Sequence, residues 1–143
     1  MILVDVNLII YATDRDSPHH KRACRWWEQT LSGTMDVGLA WIVLLAFIRI
    51  TTHGGIMRRP LGVEQAIAYV ESWLKQPYVH TIMPGVNHWP ILQNLLKTLG
   101  TAGNLTSDAH LAALAIEYGA AIYSVDYDFR RFPGVTHIHP LES

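Results

Sequence analysis

The stretch Ser107-Asp108-Ala109-His110-Leu111-Ala112-Ala113-Leu114-Ala115-Ile116-Glu117-Tyr118-Gly119, followed by Ala121-Ile122-Tyr123-Ser124-Val125-Asp126-Tyr127-Asp128, decides how this chain folds. Its first half is rich in Ala and Leu and closes on a glycine, the pattern of a packed helix with Gly119 past its end. Its second half, 121–125, is short, apolar and partly β-branched, as expected of a strand buried on both faces of a parallel sheet. A helix that packs antiparallel to the strand it precedes begins at that strand's carboxyl edge. Asp108, in the first turn of the helix, and Asp126 and Asp128, just past the strand, are therefore expected at one rim. Glu117 falls at the far end of the helix.

The same alternation continues outward. Ile2-Leu3-Val4 reads as an opening strand, with Asp5 directly after it and the apolar run Val6 and Leu8-Ile9-Ile10 beyond. An acid in such company costs on the order of several kcal/mol if buried without a partner. Ser17 reads as an N-cap with Pro18 at the first helical position, opening a helix to about Leu31 that Gly33 ends. Residues 37–40 form a brief strand. Residues 41–52 form a helix apolar nearly all round, expected to be deeply packed. After a loop at 53–60, residues 63–75 read as an amphipathic helix with Ala66, Ile67, Val70 and Leu74 on one side. A strand at 78–83, a helix at 86–99 ended by Gly100, and an edge strand at 135–138 complete the pattern. These elements predict an α/β fold, a three-layer α/β/α domain with a mostly parallel sheet of about four or five strands. The whole of 1–143 is expected to be one domain.

Composition narrows the function. The chain has 143 residues, 50% of them hydrophobic and 16% charged, with a formal net charge of −1 and one cysteine, Cys24. That excludes a disordered segment and a disulfide framework, and it excludes a domain basic overall. Any nucleic-acid contact must rest on a local patch. Asp5 breaks the first apolar run and no basic region precedes it, so it does not read as a targeting signal. The longest apolar stretch, 37–48, is too short to span a bilayer. A soluble, cytoplasmic protein is expected.

The chemistry is expected where the aspartates gather. In an open parallel sheet, ligands bind outside the carboxyl ends of the strands. Asp5, Asp108, Asp126 and Asp128 at one rim repel one another unless something positive neutralises them, and a hard divalent cation such as Mg²⁺ takes such oxygen ligands. A site of that kind activates water and stabilises charge on a phosphoryl group. Plainer readings stay open at this point: Asp108 as a favourable charge at a helix N-terminus, and Asp126 with Asp128 as turn formers. Arg130 and Arg131, directly after the closing acids, are candidates for phosphate contacts, while Arg15, Lys21, Arg22 and Arg25 cluster near the first long helix. His137 and His139 share a face if their segment is a strand; the adjacent His19 and His20 do not. The tryptophans Trp26, Trp27, Trp41, Trp73 and Trp89 suit core or interface packing, and Cys24 suits inert packing.

Four segments together resemble a known family. Val4-Asp5-Val6-Asn7-Leu8-Ile9-Ile10-Tyr11-Ala12 is similar to the opening of a PIN domain. The segment Leu105-Thr106-Ser107-Asp108-Ala109-His110 is similar to the start of its central acidic helix, and Ser124-Val125-Asp126-Tyr127-Asp128-Phe129-Arg130-Arg131-Phe132-Pro133-Gly134 to its closing motif. With Trp41-Ile42-Val43-Leu44-Leu45-Ala46-Phe47-Ile48-Arg49, they resemble the VapC-type toxins of bacterial toxin–antitoxin modules. The resemblance covers almost the whole chain. It implies an endoribonuclease dependent on Mg²⁺ or Mn²⁺, with Asp5 and Asp108 as principal metal ligands and Asp126 as a further one. It implies that Asp128 supports the site or orients a water, that Asn7 positions Asp5, and that Ser124 lies beside the closing acids. It also implies RNA as substrate, products with a 5′-phosphate and a 3′-hydroxyl, a homodimer, and a VapB-type antitoxin that offers an arginine to the acidic site.

One position departs from the pattern. Many PIN domains carry a glutamate where Ala46 stands, which puts a full four-acid site and a second tightly bound metal in doubt. A degenerate PIN domain acting as a binding module is therefore an alternative. A haloacid-dehalogenase-like phosphatase also places an Asp after its first strand, but Asn7 stands where its second Asp is needed. A receiver domain needs a phospho-accepting Asp and a Lys that the chain does not supply after its middle and last strands.

Overall fold

In the computed structural model, which describes residues 1–142, five short strands pair in parallel. They are β1 (Ile2–Val4), β2 (Val37–Ala40), β3 (Val79–Ile82), β4 (Ala121–Tyr123) and β5 (Thr136–Ile138), in the spatial order β3-β2-β1-β4-β5. Six helices connect them: α1 (Val6–Thr13), α2 (His20–Ser32), α3 (Trp41–Thr51), α4 (Val63–Leu74), α5 (His88–Leu99) and α6 (Thr106–Tyr118). Short 3-10 turns cover Gly103–Leu105 and Tyr127–Arg131.

Chain order and spatial order together dictate the layers. From β1 the chain steps outward to β2 and then β3; it then crosses back over both to reach β4, and steps outward again to β5. Right-handed crossovers moving in opposite directions place their helices on opposite faces. So α1 to α4 cover one face and α5 with α6 the other, as expected of a three-layer fold. The connections leaving β1 and β4 diverge, which opens a crevice between the carboxyl ends of those two strands. The inner strands β1 and β2 are buried on both faces, and Leu3, Val4, Leu39 and, on β4, Ile122 are fully buried, whereas the edge strands β3 and β5 are partly exposed. Gly38 is needed in β2 because a Cβ there would lie 2.5 Å from the Leu3 side chain. Gly100 and Gly119 end α5 and α6 in the left-handed conformation, with φ of 72° and 63°.

Several expectations are corrected. The segment after Asp5 is a helix, α1, which the sequence reading did not assign. Helix α2 starts at His20 rather than Pro18, because Ser17 turns the chain first: its hydroxyl accepts from the His19 N–H at 3.1 Å and its carbonyl from the His20 N–H at 3.1 Å. Helix α3 is not deeply packed all round; Trp41 and Leu45 are 47% and 61% exposed. On α4 the buried residues are Ala66 and Trp73, whereas Ile67 is exposed. Trp27 and Trp73 meet edge to face in the core, and Trp41 and Trp89 lie on the surface.

Candidate active site

Asp5 ends β1 and caps α1. Its backbone is extended, with φ −77° and ψ 154°, and its Oδ1 accepts the Val6 N–H at 2.8 Å. That cap pins the carboxylate at the mouth of the crevice. Its Oδ2 accepts the Ser124 hydroxyl at 2.6 Å and the Asn7 side-chain amide at 3.1 Å. Ser124 is buried just beyond β4. Its Oγ donates its one hydrogen to Asp5 and accepts from Asn7 Nδ2 at 3.1 Å and from the Asp126 N–H at 3.0 Å, which saturates a hydroxyl. Asp126 in turn caps the 3-10 turn, its Oδ1 accepting the Asp128 N–H at 2.8 Å. Asp5, Asn7, Ser124, Asp126 and Asp128 thus form one continuous hydrogen-bonded chain across the β1/β4 crevice.

Asp108 joins them through its charge. It lies in the first turn of α6, and its carboxyl is pushed up to about 6, first by burial and then by the negative charges of Asp5, Asp126 and Asp128. Burial also raises the Asp5 carboxyl, against its hydrogen bonds from Ser124 and the Val6 N–H, and Asp126 raises it further. No basic side chain answers this charge: among the described residues the ion pairs are Arg59–Asp16 and His80–Asp36, both away from the rim.

The donor chemistry fits a hard divalent cation. All the available ligands are carboxylate oxygens, and they lack a cationic partner. Among the described residues no three His, Cys, Asp or Glu side chains are grouped so as to hold an ion between them, so the fit is to an ion that is held by few carboxylates and keeps much of its water shell. Ala46 lies half-buried on α3 and adds no ligand.

The two arginines fare differently. Arg130 is exposed, yet its Nε–H donates to His137 Nδ1 at 3.1 Å and its guanidinium carbon sits 4.7 Å over the Tyr127 ring. Arg131 is exposed and makes no ion pair among the described residues. The hydrogen-bonding roles of His137, Tyr127 and Glu142 around the closing motif had no sequence signal beyond the shared face of His137 and His139. Glu117, unassigned from sequence, accepts the Gly85 and Asn87 N–H groups at 2.8 and 3.0 Å and so anchors the entry to α5. Between α5 and α6, His88 Nε2 and His110 Nδ1 lie 2.9 Å apart, with burial and then His88 lowering the His110 pKa.

The remaining half of the rim is apolar. The register pairs Ala40 with Ile82, so Trp41 and Met83 leave the ends of β2 and β3 side by side. Trp41, Leu45 one helical turn on, and Met83, which is 61% exposed, present apolar surface there. Among the described residues no helix is long and apolar enough to cross a membrane.

The PIN domain family model matches residues 2–135. Ribonuclease VapC37 of Mycobacterium tuberculosis is 47% identical over 140 residues, which cover 98% of this chain and 97% of that protein. Ribonuclease VapC33 of the same organism is 44% identical over 141 residues, covering 99% of both. Among solved structures, VapBC2 from Rickettsia felis bound to a DNA fragment from its promoter superimposes with a TM-score of 0.70 at 19% identity, over 96% of this chain and 98% of that one. VapC20 of Mycobacterium tuberculosis, described as a toxin that cleaves the sarcin-ricin loop, does so with a TM-score of 0.68 at 19% identity, over 95% and 99%. Metal dependence is general among the VapC nucleases of the PIN domain family.

Proposed function

The chain belongs to the PIN domain family, among its VapC ribonucleases, and from that premise we propose that it is the toxin of a type II toxin–antitoxin module that hydrolyses RNA phosphodiester bonds at the β1/β4 crevice. The observation that carries this reading is the unneutralised set of Asp5, Asp108, Asp126 and Asp128, with Asp108 raised to about 6 by burial first and then by the charges of the other three. Such a set is expensive to maintain unless a cation and a phosphate are what it exists to bind.

Asp5 and Asp108 are assigned as the principal ligands of Mg²⁺ or Mn²⁺ and Asp126 as a further one. When bound, the ion supplies positive charge to a non-bridging phosphate oxygen and makes a neighbouring water more acidic. Ser124 and Asn7 hold Asp5 Oδ2 in place, and the α1 cap holds Oδ1. Asp128, exposed at the edge of the crevice, orients the attacking water and takes its proton at a carboxylate oxygen, with Asp126 beside it. Water attacks phosphorus, the bond to the 3′-oxygen breaks, and that oxygen leaves with a proton taken from solvent water. The products are a 5′-phosphate and a 3′-hydroxyl. Arg130 and Arg131 are assigned to phosphates of the flanking RNA.

The partners follow from the same reading: an RNA substrate, a VapB-type antitoxin and a second copy of this chain, with no membrane, in the cytoplasm. The homodimer is assigned to the apolar half of the rim, where Trp41, Leu45 and Met83 are exposed without a charge among them. The single five-stranded sheet supports treating 1–143 as one PIN domain. Ala46 favours a second reading, a PIN domain kept as a binding module. The phosphatase reading falls away, because the Asn7 amide is committed to Asp5 and Ser124 and supplies no acid.

The test is an RNA-cleavage assay on a pool of structured RNAs with Mg²⁺ or Mn²⁺ and mapping of the cut sites. Cleavage is expected to stop in excess EDTA and in Asp5→Ala and Asp108→Ala. Cleavage that persists in any of the three overturns the mechanism. Absence of both cleavage and millimolar Mn²⁺ binding favours the binding module.

A further inference from the structure

His137 uses both of its ring nitrogens. Nδ1 accepts the Nε–H of Arg130 at 3.1 Å, and Nε2 lies 2.9 Å from the carbonyl oxygen of Ser124. A guanidinium only donates, so Nδ1 is the bare nitrogen; Nε2 then carries the hydrogen and donates it to Ser124. The neutral Nε2–H tautomer is the one that satisfies both contacts.

The two ends of this ring reach different parts of the site. At one end, the β4 ladder stops at Tyr123, and the imidazole takes the carbonyl of the next residue, Ser124. Ser124 is the residue whose hydroxyl donates to Asp5 and accepts from the Asp126 N–H. At the other end, Arg130 is held twice, through Nε by His137 and through its face by the Tyr127 ring. Tyr127 is itself fixed: its hydroxyl donates to Glu142, and the rings of His137 and His139 lie 5.7 and 5.5 Å from it. What remains free on Arg130 is the outer edge of the guanidinium, two residues beyond Asp128. An arginine already held in one rotamer loses less entropy when it takes a phosphate in the fork of its N–H groups.

We propose that His137 is a positioning residue of the RNA site: from β5 it fixes the guanidinium of Arg130 for an RNA phosphate and, through the Ser124 carbonyl, couples that arginine to the residue that orients Asp5. This deepens the nuclease reading above and rests on it.

Two substitutions separate the arms. His137→Gln keeps an amide N–H near the place of Nε2 and removes the acceptor for Arg130. His137→Asn keeps an acceptor near the place of Nδ1 and loses the reach to Ser124. With RNA as substrate, His137→Gln is expected to raise KM about fivefold with a smaller effect on kcat, the loss expected for one charge-assisted contact. Binding of fluorescein-labelled RNA in EDTA is expected to weaken and to lose about one unit of its slope against the logarithm of salt concentration. Arg130→Ala added to His137→Gln is expected to change binding little further, whereas His137→Asn lowers kcat more than it raises KM. Equal losses of melting temperature and active fraction in both variants, with KM and salt slope unchanged, would overturn the proposal, as would additive effects of His137→Gln and Arg130→Ala. The nitrogen-15 shifts of the imidazole in the wild-type protein give a reading independent of cleavage. The Nε2–H tautomer supports the proposal, and an Nδ1–H or doubly protonated ring at neutral pH overturns it. A wild-type protein that shows this tautomer and the Arg130-dependent salt slope but cuts no RNA would remove the nuclease reading alone.

Discussion

The carboxyl rim of one parallel sheet has two halves built to opposite chemistry. At β1 and β4 the chain leaves the sheet through Asp5 and Asp126, drawn together by Ser124 and Asn7. At β2 and β3 it leaves through Trp41 and Met83, side by side and open to solvent. The backbone event is the same in each half, a strand ending at the rim. What differs is whether charge or apolar area is left unsatisfied, and that is why we propose a cation and a phosphate as partners for one half and another apolar surface for the other. The division teaches that the chain's near-neutral net charge of −1 is a poor guide to its surface, because the acid is gathered in one place.

The comparison breaks if substitutions in the acidic half disturb assembly, or those in the apolar half abolish chemistry. The largest effect is expected from Asp5→Ala. It removes a proposed metal ligand and should lower the cleavage rate by about 10²–10³-fold or more, because a cation held less firmly gives the developing phosphoryl charge less stabilisation. Its melting temperature should change little, because losing the α1 cap, worth about 1 kcal/mol, is offset by removing a carboxylate whose burial is unfavourable. Cleavage rates set beside thermal melts check both halves of that statement. Next in size is Asn7→Ala. It leaves every carboxylate in place and removes the amide that holds Asp5 Oδ2, so activity or metal affinity should fall roughly 10–100-fold while the oligomeric mass stays as in the wild type.

Much of the acidic half was legible in the sequence, because in a parallel sheet strand ends such as those before Asp5 and Asp126, and the start of a helix that packs antiparallel to the next strand, where Asp108 sits, fall at one rim. Helix α1 was not legible. Val6, Ile9 and Ile10 are β-branched and mimic a strand, and the helix forms because Asp5 caps it and α2 and α3 pack against it. The exposure of Trp41 and Leu45 was hidden for a different reason. A helix apolar all round reads as buried whether a core or a second protein covers it. The role of His137 required knowing that β5 pairs with β4 in the register that places it opposite Ile122, a contact no local pattern encodes.

The apolar half is tested by Leu45→Asp. The wild-type chain should sediment as two protomers at micromolar concentration, and a charge at the centre of the patch should weaken that association about 30-fold or more. The metal affinity of the acidic half should be preserved. A wild-type mass of one protomer would remove the assignment of this surface to a second copy.

The smallest effect concerns what the acidic half does to the fold without metal. The Asp108 carboxyl is raised from its ordinary value to about 6, so the folded chain holds a proton there that the unfolded chain gives up. The stability this confers is fully present below about pH 4 and is lost as pH rises through about 6. Asp5, also raised, acts in the same direction. Because Asp108 remains partly in contact with water, screening reduces its share to on the order of 1 kcal/mol. Melting temperatures of the metal-free protein should therefore fall across this window from these two groups, and Asp108→Asn should flatten part of the fall and be the more stable protein above pH 7. Added Mn²⁺ should raise the wild-type melting temperature above pH 7, raise it far less near pH 4, and raise that of Asp108→Asn least. An Asp108→Asn protein less stable than wild type above pH 7 without metal would mean that the carboxylate is held by a partner, and the contrast between a strained acidic half and a merely exposed apolar half would fail.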